Sequence, residues 1–242
     1  MTGGLDPGVF ALAFLAVLAG AVVQAVVGLG IGLVAAPVIT LLAPQLMPGV
    51  LISLAFVLPM ITLAEERRDI DWHGLNWSLP ARVLGTVAGV WVVTTFTADQ
   101  LGVFIGSIVL LAVLVTWHAV EVPVNRGTLS AAGFVGGVTG TATSIGGPPF
   151  ALLYQHRPPR QIRTTMAVYF LVGAAISLTG LTVSGDLTRH QVAVGALLLP
   201  AVVLGVVIGA PLRRLLPTHR VRAAVLAVSA ASALVLVVRS LV

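Results

Sequence analysis

Long apolar stretches separated by short polar connectors run from one end of the chain to the other. The apolar segments fall at about 9–27, 31–43, 49–64, 78–96, 101–119, 128–139, 144–155, 164–183, 191–211 and 221–238. Between them lie connectors such as EERRDIDWHGLN (65–76), EVPVNRG (121–127), QHRPPRQIR (155–163), GDLTRHQ (185–191) and RRLLPTHRVR (213–222). Runs such as LLLPAVVLGVVIGAPL carry no polar stripe at helical spacing, so they predict helices that face lipid rather than water. The pattern predicts an all-α polytopic membrane protein with about 8–10 membrane segments.

Sliding the two halves of the sequence against each other reveals a repeat. LPARVLGTVAG at 79–89 matches LPAVVLGVVIG at 199–209 in eight of eleven positions, and the frame from Gly28 to Pro37 matches that from Gly140 to Pro149. Two matched blocks in the same order predict a duplication, with residues 1–127 as the first membrane repeat (120–127 being the linker) and 128–242 as the second.

The apolar run 9–43 is too long for one crossing. Its 35 residues would extend about 52 Å as helix, against a hydrocarbon core of about 30 Å. Folding it back at GLGIG (28–32) gives each half a broken first helix pair and five segments. Eleven of the 13 arginines then fall on one side, leaving Arg189 and Arg239 on the other. A single crossing divides them nearly evenly, so the positive-inside rule favours the hairpin. An odd number of segments per half makes the repeats inverted. It puts both termini outside the cytoplasm, and the connectors 65–76, 120–127, 156–163 and 212–222 on the cytoplasmic side. Inverted repeats with interrupted helices are a transporter architecture. Whether the short arms 31–43 and 144–155 span or re-enter is open at this level.

The interruptions occur at equivalent places, QAVVGLGIGLVAAP (24–37) and GGVTGTATSIGGPP (136–149). Broken helix inside hydrocarbon is tolerated only where protein covers it or a cavity borders it. A helix start presents free N–H groups and the positive end of the helix dipole, which attract a negative ligand. Two such starts brought together would form a cradle for a small anion. The candidate binding residues are Gln24, Gly28, Gly30 and Gly32 at the first break, and Thr139, Gly140, Thr141, Thr143, Ser144, Gly146 and Gly147 at the second. Ser53 and Thr165, 112 positions apart in the segments that follow, either line the same cavity or serve as packing hydroxyls. Arg82, five residues into its apolar segment and replaced by Val202 in the repeat, is expected to snorkel to the membrane interface.

Composition narrows the field further. With 58% hydrophobic and 9% charged residues there is no room for a soluble domain. The formal charge of +5 comes from arginines placed mainly in connectors, so it reports topology rather than a nucleic-acid partner. The absence of cysteine excludes disulfides and thiolate metal sites. No catalytic motif occurs, and neither an enzyme nor a cofactor or metal is expected. No acidic residue lies inside an apolar segment, so protons or another coupling ion would have no evident carrier. The remaining alternatives are a channel or permease for another small anion or organic acid, and a structural membrane subunit.

The G-x-G-x-G break followed by proline, the G-G-P-P break in the second half and the ERRDIDW connector together resemble the TauE/SafE family of membrane permeases, over essentially the whole chain. The resemblance implies a secondary transporter, usually described as an exporter, for small sulfur-containing anions such as sulfite or organosulfonates, in a bacterial inner membrane. Where members of that family often carry G-x-G-G-G, this chain has Gly28, Gly30 and Gly32 alone, with Thr141 and Thr143 at the second break.

Overall fold

The computed structural model describes residues 4–27, 30–118, 122–215 and 218–241, and these are helical almost throughout. In chain order the helices are α1 (Pro7–Val27), α2 (Ile31–Leu42), α3 (Gly49–Leu54), α4 (Val57–Glu65), α5 (Trp72–Thr95), α6 (Ala98–His118), α7 (Arg126–Thr143), α8 (Pro148–Tyr154), α9 (Pro159–Ser184), α10 (Arg189–Leu215) and α11 (Thr218–Leu241), with one 3-10 turn at Pro44–Leu46. Four stretches are long and apolar enough to cross a membrane: Pro7–Val26, Ala98–Val115, Pro159–Ser184 and Arg189–Leu212. The chain is an all-α integral membrane protein.

Local signals set the helix ends. Asp6 caps α1 by accepting from the N–H groups of Gly8 and Val9, and Asp71 caps α5 by accepting from Gly74 N. Asn125 and Thr128 form a reciprocal capping box at the start of α7. Gly185, at φ +85°, ends α9 in the left-handed region that glycine enters without steric cost.

The short arms are now defined. With 12 and 7 residues, α2 and α8 rise about 18 Å and about 10 Å, well short of the roughly 30 Å hydrocarbon core, so neither is long enough to cross it alone. Two other segments differ from expectation. The stretch 49–64 is not one helix: it breaks into α3 and α4 around Ala55 and Phe56, whereas α9 runs unbroken for 26 residues. Helix α5 starts at Trp72, because Asp71 supplies a cap ahead of the apolar run.

Helix α1 packs along α10, α5 along α7, and α6 along α11. In the absence of a hydrophobic drive within lipid, such pairs depend on close backbone approach at small residues. Gly85 and Gly89 of α5 lie against the carbonyls of Phe134 and Val138 on α7, and Gly205 and Gly209 of α10 against those of Leu18 and Val22 on α1. Both are G-x-x-x-G pairs. Helix α5 turns Val83, Leu84, Val87 and Trp91 outward, and its buried face is Ser78, Arg82, Gly85, Thr86 and Gly89. A helix that is apolar outside and polar or small inside belongs in lipid, with its chemistry turned toward the bundle.

The connectors gather at two ends. Arg160 and Arg163 both pair with Glu66, Tyr154 O–H donates to Asp71, and a pocket at that end is bordered by Asp71, Asn125, Arg126 and Arg157. The stretches 65–76, 122–127 and 155–163 therefore share one end. At the opposite end Gln191 donates to the carbonyls of Gln45 and Met47, and Gly4 approaches His190.

Candidate functional site

The two breaks meet inside the bundle. Gly32, in the first turn of α2, packs so tightly against the second break that a Cβ there would lie 2.6 Å from the carbonyl oxygen of Ser144. Ser144 holds the turn that ends α7 at φ +64°, and its hydroxyl donates to the carbonyl of Pro48. Gly30 and Gly146 are fixed by close approach: added Cβ atoms would meet Gln24 N and Gly20 O at 2.6 Å, and Gly136 O at 2.6 Å, respectively. Gly28 lies outside the described residues.

The two helix starts are not equally open. The Ile31 N–H at the start of α2 donates to Gln24 Oε1 at 3.0 Å, so the Gln24 side-chain oxygen caps that helix and takes up this backbone donor. At the start of α8, Gly147 is followed by Pro148 and Pro149, and proline has no N–H. That start therefore offers fewer backbone donors than the glycine-rich sequence suggested.

The hydroxyls are also engaged. Thr139 Oγ1 lies 2.9 Å from the Ile145 carbonyl, and Thr143 Oγ1 donates to Thr139 O at 2.7 Å while accepting from Ile145 N. These bonds hold the turn closed. Thr141 Oγ1 reaches Ser177 Oγ at 2.8 Å and Thr86 Oγ1 at 3.3 Å, tying α7 to α9 and α5. Ser53 donates within its own helix to Gly49 O and faces Gly195. Thr165 accepts from Asp71 N at 3.0 Å, anchoring the connector before α5. Both act in packing and anchoring.

Arg82 does not snorkel. The early start of α5 at Trp72 places it ten residues into the helix, about 15 Å along the axis, and it is 3% exposed. Its Nη2 lies against the second break, 3.0 Å from where a Cβ on Gly140 would sit and 3.3 Å from one on Gly146, and its guanidinium fills the space left by Gly173 on α9. The guanidinium carbon stands 4.3 Å over the centre of the Tyr169 ring. That ring also stacks on Phe150, at 4.1 Å with an interplanar angle of 2°. Nε and Nη1 have no hydrogen-bond partner among the described residues. The sequence placed this residue at the interface rather than in the bundle, although one signal for the interior was present: Ser78, Arg82, Gly85, Thr86 and Gly89 share a helical stripe, and the glycines mark that stripe as the packed face.

A cavity of about 610 Å³ opens between α1, α4, α9 and α10. Gln24, Thr62, Glu65, Arg160, Arg163 and Phe170 are among its lining residues, so it leads from the arginine-bearing connector end to the cap of the first break.

Membrane helices interrupted at paired points that meet within the bundle define the class: an integral membrane permease. The model of the sulfite exporter TauE/SafE family matches residues 12–236, and the chain belongs to that family of membrane transporters. Comparison with curated proteins and with solved structures gave no match.

Proposed function

We propose that the protein is a secondary transporter that exports small sulfur-containing anions, sulfite or an organosulfonate, across a bacterial inner membrane, and that it binds them where the two helix breaks meet. The observation that carries this reading is the contact of Gly32 with the Ser144 carbonyl, which joins both interruptions at one point inside the bundle. The cavity that reaches Gln24, the cap of the first break, has room for a small anion, and Arg160 and Arg163, both paired with Glu66, stand at its outer part.

In the same reading the chain consists of two inverted repeats, 1–127 and 128–242. The pairings of α1 with α10 and of α5 with α7 support it, because they are equivalent to each other: α1 corresponds to α7 and α5 to α10, so each pairing joins the first helix of one half to the fourth segment of the other. The termini lie outside the cytoplasm, and the connectors around 65–76, 122–127 and 155–163 lie inside, where the positive-inside rule puts their arginines. Transport then proceeds by rearrangement of one half against the other about the junction.

Uptake of radiolabelled sulfite into proteoliposomes, with sulfate, thiosulfate, a sulfonate and a carboxylate as competitors, tests the proposal. Saturable flux inhibited by a sulfur anion is the expected result. Flux that rises without saturation would mean a channel, and inhibition by the carboxylate alone would reassign the substrate.

A further inference from the structure

A buried guanidinium is costly unless something compensates its charge. Arginine stays protonated in proteins, and removing such a charge from water costs several kcal/mol even after relaxation. The described structure supplies Arg82 with the face of Tyr169, and a cation–π contact offsets only part of that cost. Among the described residues Nε and Nη1 are left with nothing to donate to. No salt bridge to Arg82 exists among the described residues.

The position of this cation gives the imbalance a meaning. Arg82 lies against Gly140 and Gly146, on the two sides of the second break, where the absence of side chains lets the guanidinium itself reach the break. The backbone donors expected to bind an anion are spent or missing, with Ile31 N–H capped by Gln24 and two prolines opening α8. Phe170 on α9, next to Tyr169 in the chain, borders the large cavity.

We infer that Arg82 is the principal anion-binding group of the transporter: it donates from Nε and Nη1 to an oxyanion seated between α5, α9 and the Gly140–Gly146 break, with Tyr169 as the platform that holds the guanidinium in place. The inference rests on the anion-transport reading and names the ligand within it. An oxyanion held this way forms charge-assisted hydrogen bonds in a dry site, about twice as strong as neutral ones, and its negative charge compensates the buried cation. The site is asymmetric, because the equivalent position in the other half is Val202, fully buried in an apolar cluster.

The test compares wild type with Arg82→Met and Arg82→Gln in detergent, measuring thermal unfolding in anion-poor buffer and then with increasing sulfite, sulfate, thiosulfate, isethionate or acetate. The expected result is that at least one anion stabilises wild type saturably. Both variants should then bind it at least about tenfold more weakly. In anion-poor buffer Arg82→Met, which keeps the apolar stem and loses the charge, should melt at or above wild type, because it removes an uncompensated ion.

Three outcomes would overturn the inference: equal stabilisation of Arg82→Met and wild type, no stabilisation of wild type by any anion of the panel, or destabilisation of both variants in anion-poor buffer, which would make the guanidinium structural. The experiment separates the inference from the reading beneath it. Stabilisation through Arg82 by acetate alone would keep Arg82 as the ligand and discard the sulfur-anion assignment. Saturable sulfite flux that survives in both variants would do the reverse.

Discussion

The first and second helix breaks look alike as sequence and differ as chemistry. Each is a glycine-lined interruption followed by a short arm, and each packs its glycines against backbone. The first is self-contained: Gln24 reaches across it to cap α2, and α2 buries Leu33, Ala35, Ala36 and Ile39 in an apolar cluster. The second is held shut by Thr139 and Thr143, starts its arm with two prolines, and has against it a buried arginine whose Nε and Nη1 find no partner among the described residues. The two breaks thus share a shape, whereas a charged group stands beside one of them only. Likeness of shape therefore does not imply likeness of site.

The largest effects should come from the shape the breaks share. Gly30→Val and Gly146→Val each force a side chain into backbone that cannot move aside cheaply, at 2.6 Å from carbonyl or amide atoms. Each should cost about 3 kcal/mol or more, seen as loss of monodisperse protein on size exclusion and a lower melting temperature. If either variant folds as wild type does, that break is looser than its contacts indicate, and the comparison fails at its first step.

Much of this architecture was legible before any coordinates. The apolar runs gave the helices, arginine counting gave the hairpins, and the 79–89 match to 199–209 singled out G-x-x-x-G segments that now lie in the closest helix pairs. The site was less legible, for physical reasons. Helix α5 was measured from its apolar run, but a cap at Asp71 extends it backward through His73, Asn76 and Trp77, and this moved Arg82 from near an end to the interior. Glycines at a break were read as open N–H groups, yet the count of donors depends on Pro148 and Pro149 and on a partner seven residues away in Gln24. The splitting of 49–64 into α3 and α4 was not marked, since neither Ala55 nor Phe56 is a helix breaker and Pro59 falls beyond the interruption.

A middle tier of effects separates the two helix starts. Gln24→Leu removes the cap from Ile31 N and should cost about 1–2 kcal/mol in thermal unfolding. Pro149→Ala restores a donor at the start of α8 and should change stability by less than about 1 kcal/mol. Anion affinity is the sharper readout for this pair. Backbone donors as the main ligand would make Pro149→Ala tighten binding, whereas a site centred on Arg82 leaves it within about threefold, less than 1 kcal/mol by the usual conversion.

Thr141→Val probes the hydroxyl network of the second break. Its hydroxyl is fully buried and bonded to Ser177 and Thr86, so the substitution strands two partners and should cost about 1–2 kcal/mol of stability. Anion affinity should stay close to wild type, because the hydroxyl is already committed to protein. A variant that folds normally and loses affinity would show that Thr141 turns to the ligand during transport.

The smallest expected effect lies at the foot of the second arm, where α8 ends on a carboxylate and α2 has no equivalent. Tyr154 O–H donates to Asp71 Oδ2 at 2.7 Å. Burial pushes the Asp71 carboxyl up, but the Gly74 N–H, the Tyr154 hydroxyl and the nearby Arg157 charge outweigh it and leave the group below the usual carboxylate range. With a folded value below the unfolded value of about 3.9, the ionised form contributes stability that is fully present above about pH 4. That contribution is lost as pH falls through the folded value. Asp71→Asn keeps an acceptor for Gly74 and removes the ionisation, so between neutral pH and pH 4 it should cost little. Below pH 4 its melting temperature should fall less steeply than that of wild type. Thermal scans from pH 7 to pH 3 decide the matter: parallel curves would mean that the Tyr154–Asp71 contact does not bear on how the second arm is held, and the difference between the two arms would then rest on the breaks alone.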